Sequence, residues 1–224
     1  MLFSNILSPI DIADVHMNCI KIDYVSSIRF LGVIIDDKLR FNYHIKEITR
    51  KISKNTGVLY KLKQYVPIST LLSVYRSIIE CYINYCNLIF GNASDTHLSP
   101  LIIAQKKAVR IIANLHPLSH THHIFSNLKI LKVSDHYKYN LGIFMWKNFD
   151  YFMPNYRINL NNTRSGNYFD SSYHRLSLTQ NQSISYQAPS NWRKIPESVK
   201  NATSLNTFKK RYKNSLLSSY DNNR

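Results

Sequence analysis

The sequence predicts a mainly α-helical protein with a small β element at its N-terminus, an α+β arrangement dominated by helices. Apolar residues recur every three or four positions along much of the chain from Phe41 onward, as they do on the buried face of a helix. Before that point, short apolar or alternating runs are typical of strands. Hydrophobic residues make up 44% of the 224 residues, which is enough to bury a core in a chain of this length.

The first 37 residues are expected to form strands. "MLFSNI" is a short apolar run, "NCIKIDYV" alternates, and the apolar run Phe30–Ile35 contains Gly32, which indicates a bend or a close backbone approach. Two adjacent carboxylates, Asp36 and Asp37, follow this run. Because a chain that begins inside a sheet is unusual, we expect earlier strands to lie upstream in a longer protein.

Helical spacing dominates the middle of the chain. We predict helices from Phe41 to Pro67, from Ser69 to Tyr85, from Thr96 to Leu115, and through "DHYKYNLGIFMWKNF" with Ser134 as its cap. The aromatic and methionine residues of this last helix are expected to lie in the core. After Tyr156 the composition becomes rich in Asn, Ser, Tyr and Arg. There "SISYQAP" is expected to be a strand, and Ser204 is expected to cap a final helix.

Charge is the strongest signal in the composition, with a formal net charge of +16 and a pI near 9.8. A positive field of this size attracts polyanions, and nucleic acid is the partner it favours. A merely basic protein or a membrane-surface binder is the alternative. The three cysteines form no CxxC pair and are expected to be core thiols in a reducing compartment. No apolar run approaches the roughly 18 residues of a membrane span, so we expect a soluble protein of the cytoplasm or nucleus.

The sequence lacks the motifs of several classes of enzyme. With five glycines, the chain contains neither a P-loop nor a GxGxxG pattern, and no GxSxG nucleophile motif occurs. The histidines of "HPLSHTHH" lack cysteine or acidic partners at zinc-finger spacing, so a polar connector is favoured over a metal site. We predict no metal site and no catalytic residue in this chain.

The Asp36–Asp37 pair resembles the carboxylates that hold metal ions in template-directed polymerases. Two-metal phosphoryl transfer requires further carboxylates to hold two Mg²⁺ ions about 4 Å apart. The acids upstream, Asp11, Asp14 and Asp23, all lie close to the pair in sequence with no helix between them. We therefore expect a solvated turn, with Asp37 near the N-terminus of the first helix.

The first helix carries an excess of positive charge and is the best candidate for a binding surface. Its basic residues are Lys46, Arg50, Lys51, Lys54, Lys61 and Lys63, against the single acid Glu47, with Tyr43 and Tyr60 among them. This composition suits a phosphate backbone, although an ordinary solvated helix face is the alternative. Lys106, Lys107 and Arg110 of the third helix are expected to face water and extend this surface.

The stretch "FLGVIIDDKLRFNYHI" resembles the segment that follows the catalytic core in reverse transcriptases of non-LTR (LINE-type, jockey-like) retrotransposons. The matching residues are Phe30, Leu31, Gly32, Val33, Asp36, Leu39, Phe41, His44 and Ile45. "LIIAQKKAVRII" and the tail from "TRSGN" to "KNSLL", which includes Trp192, Ile195, Pro196, Ser204, Phe208 and Lys209, resemble later parts of the same family. In order and spacing, the resemblance extends over essentially the whole chain.

The resemblance implies a division into residual palm strands with a primer-grip hairpin (1–40), a helical thumb-like region (41–92), a helical connector (93–155) and a basic C-terminal segment with a terminal helix (156–224). It places the primer grip at Phe30, Leu31 and Gly32, and the catalytic aspartates upstream of Met1. Asp36 and Asp37 would then imitate the catalytic pair.

We therefore expect a truncated RNA-directed DNA polymerase that is inactive alone and needs no cofactor, although Mg²⁺ serves the full-length enzyme. Its expected partners are RNA or an RNA–DNA template–primer duplex, and the missing N-terminal portion of the reverse transcriptase. A non-catalytic nucleic-acid-binding protein or an inert helical remnant is the alternative.

Overall fold

A computed structural model describes residues 16–21, 23–152 and 183–220. The strands are β1 His16–Met17, β2 Ile20–Lys21, β3 Ser27–Phe30 and β4 Val33–Asp36. The helices are α1 Asn42–Leu62, α2 Ile68–Tyr75, α3 Cys81–Asn84, α4 Asn87–Phe90, α5 Asp95–Ile112, α6 His122–Asn127, α7 Val133–Lys147, α8 Phe149–Phe152, α9 Ile184–Arg193, α10 Glu197–Lys200 and α11 Leu205–Ser218. The predicted fold class, mainly α with a small N-terminal β element, is confirmed. The predicted run "MLFSNI" lies outside the described residues.

The β element consists of two antiparallel hairpins, β1–β2 and β3–β4. In the second hairpin, Phe30 pairs with Val33, so Leu31 and Gly32 form a two-residue turn. Both turn residues have positive φ, 45° and 83°, which is the backbone of a type I′ turn and matches the twist of the strands. The bend expected at Gly32 is therefore a hairpin turn, and β4 packs on α1, where the backbone N–H of Ile34 donates to the side chain of His44.

The first hydrophobic core forms where α1 packs against α5. Ile45, Ile48, Ile52 and Leu59 of α1 are buried there, and each such side chain stabilises the fold by about 1.5–3 kcal/mol. The helix ends at Leu62, several residues before its predicted end at Pro67. A residue that precedes proline is driven out of the α conformation, so the chain leaves the helix before the proline.

The predicted second helix is present but is interrupted by a π-helical turn, Arg76–Glu80, between α2 and α3. Its buried residues Leu71, Tyr75, Ile79 and Ile83 recur every four positions. In an α-helix of 3.6 residues per turn this stripe drifts by about 40° at each step. One wider π turn corrects the drift, so all four side chains stay in the core.

The second core joins α7, α9 and α11. The ring of Phe208 stacks on Trp146 with the centroids 4.7 Å apart and on Trp192 at 5.6 Å. The expectation that the aromatic and methionine residues of α7 belong to the core is confirmed by Tyr137 and Met145, which are buried. Leu217 and other residues at the chain's end join the first core, so the C-terminal helix contacts both.

The strand predicted for "SISYQAP" is wrong, because these residues lie in α9. Its alternation of Ile184 and Tyr186 with polar residues suits a strand, but Ala188 and Trp192 are buried four residues apart against α7. Burial of one helical face outweighs the local strand preference. Pro189 lies within this short helix and is itself buried.

The two predicted caps have opposite outcomes. Ser204 caps α11, where its side chain accepts a hydrogen bond from the backbone N–H of Thr207. Ser134 does not cap α7, which begins one residue earlier at Val133. The N–H of Val133 donates instead to the side chain of Gln105 on α5 at 3.1 Å. A cap supplied by a distant helix leaves no local sequence signal.

Within the described residues, no helix combines the length and apolar character needed to cross a membrane.

Candidate nucleic-acid interface

The basic residues predicted on α1 form a stripe on the face opposite its buried residues. Tyr43, Lys46, Arg50, Lys54 and Lys61 follow one another at intervals of three, four or seven and are all exposed, so they share one helical face. At a rise of 1.5 Å per residue, the stripe runs for about 27 Å. We call these five residues the basic stripe.

Only part of this charge has an internal partner. Arg50 contacts Glu47 at 3.1 Å, and Lys51 contacts the same carboxylate at 3.7 Å. The hydrogen bond from Arg50 holds the pKa of Glu47 below its usual range. Within the described part of the chain, Lys46, Lys54 and Lys61 have neither an ion pair nor a side-chain hydrogen bond. These three ammonium groups are therefore available to an external anion.

Lys63 lies away from the basic stripe. Its Nζ bonds to Oδ1 of Asn114 at 3.2 Å and lies 5.0 Å from the centre of the Tyr60 ring. The contact joins the C-terminal ends of α1 and α5. Lys51 likewise lies beside the stripe, with its Nζ 5.5 Å from the ring of Tyr82.

The three candidates on α5 differ in how freely they face solvent. Lys107 is exposed as expected, whereas Lys106 and Arg110 are half-buried. Arg110 donates through Nε to the carbonyl of Ser119 at 2.9 Å, which holds the following loop against the helix. The guanidinium has further N–H donors that this bond does not use.

The proposed primer-grip residues form the tip of the β3–β4 hairpin. Phe30 and Leu31 are 60% and 74% exposed and are adjacent at this tip. The hydroxyl of Tyr85 donates to the carbonyl of Leu31 at 2.6 Å. The tip is therefore tied to the end of α3 while its apolar side chains remain free to contact a partner.

The expectation of a solvated turn at the acidic pair is wrong for Asp36. This residue is 3% exposed, and its carboxylate accepts the backbone N–H groups of Phe41 at 2.6 Å, Arg40 at 2.9 Å and Lys38 at 3.2 Å. A carboxylate that closes the turn into α1 satisfies backbone donors which would otherwise lack partners. Asp37 is half-buried and lies in the turn itself.

The described residues do not fit a two-metal site. Among them, no group of three or more His, Cys, Asp or Glu side chains could hold a metal ion. Asp11 and Asp14 lie outside the described residues. Of the histidine cluster, His116 and His120 are in the loop before α6, and His122 Nε2 lies 3.1 Å from the amine of Lys132.

The expectation that the cysteines are core thiols is also wrong. Cys19 and Cys81 are exposed, Cys86 is half-buried, and all three are free thiols. Cys81 has apolar sequence neighbours, but it lies off the buried stripe of its helix. Hydrophobic neighbours in sequence do not become neighbours in space when the helix turns them to another side.

Sequence reasoning missed a cavity of about 390 Å³ between the hairpin turn, α1 and α3. Its lining residues are Gly32, His44, Glu47, Ile48, Lys51, Cys81, Tyr82 and Tyr85. These residues come from three separate stretches of the chain. Only the matching positions of Gly32 and His44 in the family resemblance could have drawn attention to this place.

His44 is buried at the start of α1, and its ring packs edge-on against Phe90 with the centroids 5.1 Å apart. Its Nδ1 accepts the backbone N–H of Ile34 at 3.3 Å. Burial, followed by the nearby charges of Arg29 and Lys51, lowers the pKa of His44 to about 4. The imidazole is therefore neutral at pH 7, and its one proton is on Nε2.

Comparison with known proteins identifies relatives at low identity. The chain is 26% identical over 129 residues to an RNA-directed DNA polymerase from mobile element jockey of Drosophila funebris and 23% identical over 124 residues to a probable RNA-directed DNA polymerase from transposon X-element of Drosophila melanogaster. The corresponding jockey polymerase of Drosophila melanogaster is 26% identical over 125 residues. The resemblance to jockey-like polymerases is confirmed.

The similarity to the jockey-like polymerases covers 56%, 54% and 54% of this chain, and 14% of each relative. The chain thus matches a small part of much longer proteins. No family model matches the chain, and no solved structure does so either.

Proposed function

We propose that this chain corresponds to the nucleic-acid-gripping part of a jockey-like reverse transcriptase and lacks the aspartates that catalyse polymerisation. The observation that carries the proposal is the basic stripe on α1, a row of exposed cations in a chain similar to RNA-directed DNA polymerases. Lys46, Lys54 and Lys61 have no acidic partner in the described part of the chain. A row of this kind suits the evenly charged backbone of an RNA–DNA duplex.

Each of the candidate residues has a role in this proposal. Lys46, Arg50, Lys54 and Lys61 contact phosphates along the helix, and each such contact releases condensed counterions. Lys51 flanks the stripe, and Lys63 adds positive charge at the C-terminal end of α1, away from the stripe. Lys106, Lys107 and Arg110 add positive charge from α5. Phe30, Leu31 and Gly32 at the hairpin tip support the end of the primer strand, as the resemblance to reverse transcriptases implies.

The absence of polymerase activity is a second part of the proposal. Asp36 is followed by Asp37, as expected for an Asp-Asp catalytic pair, but both oxygens of its carboxylate accept hydrogen bonds from backbone N–H groups. A metal ion at this position would have to displace bonds that hold the entry into α1. The catalytic carboxylates of a complete enzyme would therefore come from another part of a longer protein.

Salt dependence of binding tests the nucleic-acid interface directly. We would measure fluorescence anisotropy of a labelled RNA–DNA duplex over a series of salt concentrations. The triple variant Lys46→Gln/Lys54→Gln/Lys61→Gln should reduce the magnitude of the negative slope of log affinity against log salt by about three, because each lost phosphate contact reduces it by about one. The matched control is Lys129→Gln/Lys147→Gln/Lys194→Gln, which removes the same charge from exposed positions elsewhere.

Two outcomes would contradict the proposal. Equal slopes for the two triple variants would mean that the stripe is an ordinary solvated helix face, as in an inert remnant. Mg²⁺-dependent primer extension by the purified chain would mean that this chain does contain catalytic carboxylates, and its loss in Asp37→Asn, which leaves the bonds of Asp36 in place, would assign them to the acidic pair.

A further inference from the structure

His44, one of the residues that line the cavity beside the hairpin turn, has a buried donor without a partner among the described residues. In the described part of the chain, Nε2 of His44 has no hydrogen-bond partner although it is buried. Because Nδ1 accepts from Ile34, Nε2 carries the proton. A buried donor without an acceptor costs free energy that a bound acceptor would restore.

The walls of the cavity suit a flat ring. Tyr82 and Tyr85 contribute aromatic side chains, and Ile48 contributes an apolar surface. Gly32 adds no side chain, and a Cβ built there would lie 3.6 Å from the ring of Tyr85. A volume of about 390 Å³ is within the range of small-ligand sites and accommodates a planar heterocycle.

The rim of the cavity carries one acidic and one basic residue, Glu47 and Lys51, and lies beside the cations of the basic stripe. Lys51 lines it, and the neighbouring Arg50 belongs to the basic stripe on the adjacent side of α1. Glu47 holds both cations through its carboxylate. A ligand that combines a ring bearing an acceptor with an anionic linkage would match the floor, the walls and the rim together.

We propose that this cavity receives one unstacked base from a single-stranded extension of the duplex whose backbone lies on the basic stripe. The inference rests on the proposed function and extends it from phosphate contacts to a base contact. A ring nitrogen or carbonyl oxygen of the base accepts the N–H of His44 Nε2, and the tyrosine rings contact its faces. Stacking of bases on aromatic side chains tolerates any sequence, so the site selects unpaired bases without reading their identity.

The test compares two probes with equal charge. One is a short labelled thymidine homopolymer, and the other is an abasic strand of the same length with the same phosphates. The wild-type chain should bind the base-bearing strand about tenfold more tightly, from stacking and one hydrogen bond. In His44→Phe, which keeps a ring against Phe90 but has no donor, this preference should fall about fivefold. His44→Gln keeps a donor and should preserve most of the preference.

The two His44 variants should leave the slope of log affinity against log salt unchanged, because neither of them alters the net charge at neutral pH. If the basic stripe does not bind phosphates, the lysine triple variant should show an unchanged salt slope. Failure of the cavity appears instead as an equal preference in wild type and His44→Phe. The two hypotheses are thus separated by different measurements on the same protein.

Cys81 gives a second readout that does not depend on a His44 variant folding. Its thiol lines the cavity and is exposed. In the variant Cys19→Ser/Cys86→Ser, iodoacetamide should alkylate Cys81 severalfold more slowly when the thymidine strand is bound than when the abasic strand is bound. Equal protection by both strands would overturn the inference.

Discussion

Replacing Asp36 with alanine should destabilise the fold by about 3–5 kcal/mol, with or without Mg²⁺. Its carboxylate accepts three backbone N–H groups, from Lys38, Arg40 and Phe41. A hydrogen bond to a charged acceptor contributes about 1.5–3 kcal/mol. The first two donors belong to exposed residues, so water replaces part of the loss and the total lies below the simple sum.

Urea unfolding at neutral pH, followed by circular dichroism, measures this change. Asp36→Asn keeps one oxygen acceptor and should lose about half as much stability. Asp37→Asn is the matched control and should change stability by about 0.5 kcal/mol or less, as substitutions outside such networks do. The structural role would be refuted if Asp36→Ala were as stable as wild type. It would also be refuted if Mg²⁺ stabilised the wild type strongly and the alanine variant not at all, since an ion that binds only the native site raises stability.

Three further predictions test the packing, the hairpin tip and a buried titration. Gly142→Ala should cost about 1–3 kcal/mol in thermal unfolding, because a Cβ there would collide with a tyrosine ring. Gly57→Ala, where a Cβ meets no atom within 4 Å, should instead stabilise by about 0.5–1 kcal/mol. Tyr85→Phe should speed amide exchange at the hairpin turn while global stability falls by only about 1 kcal/mol. Burial lowers the pKa of His136 to about 4, so its unfolded form binds protons first and stability falls as pH drops below about 6.5. Because the Glu80 carboxylate lies 3.4 Å from His136 Nε2, a Glu80→Gln background isolates the titration of the histidine. Between pH 7 and pH 5 the loss of stability should be about 2 kcal/mol in that background, and His136→Leu should remove it.

The helices that sequence predicts best are those whose buried face is continuous. In α1, the spacing of Ile45, Ile48, Ile52 and Leu59 indicates one face, and the structure buries all four. The steady four-residue spacing of the second helix also carries information, because it is the spacing that a π turn accommodates. The π turn can be predicted from the sequence only when the angular drift of the buried residues around the second helix is calculated.

The errors come from contacts between residues far apart in the chain. "SISYQAP" alternates like a strand, and only its packing against α7 makes it a helix. The cap of α7 comes from Gln105, and the exposure of Cys81 follows from which side of its helix meets the core. The domain boundaries after residues 40, 92 and 155 remain predictions, although α1 and α5 share one core across the second boundary.

The candidate site divides in the same way. The basic stripe is visible in the sequence, since four of its residues are cations at helical spacing and the helix itself is strongly predicted. The cavity is invisible there, because Gly32, His44 and Cys81 are brought together only by the hairpin and two helices. A charged surface can be inferred from one element, whereas a pocket requires the arrangement of several.

The acidic pair shows why a local motif does not determine chemistry. A carboxylate has two oxygens with about four acceptor sites. A metal ion can bind only at the sites that hydrogen-bond donors leave unoccupied. At Asp36 three backbone N–H groups occupy about three of these four sites and use both oxygens, because the chain must turn sharply from β4 into α1 and its donors must be satisfied. An Asp-Asp pair in a turn whose backbone N–H groups were hydrogen-bonded elsewhere would leave its carboxylate oxygens available to a cation. What separates a structural aspartate from a catalytic one is therefore the hydrogen bonding of the following five residues, which is a property that the pair itself does not encode.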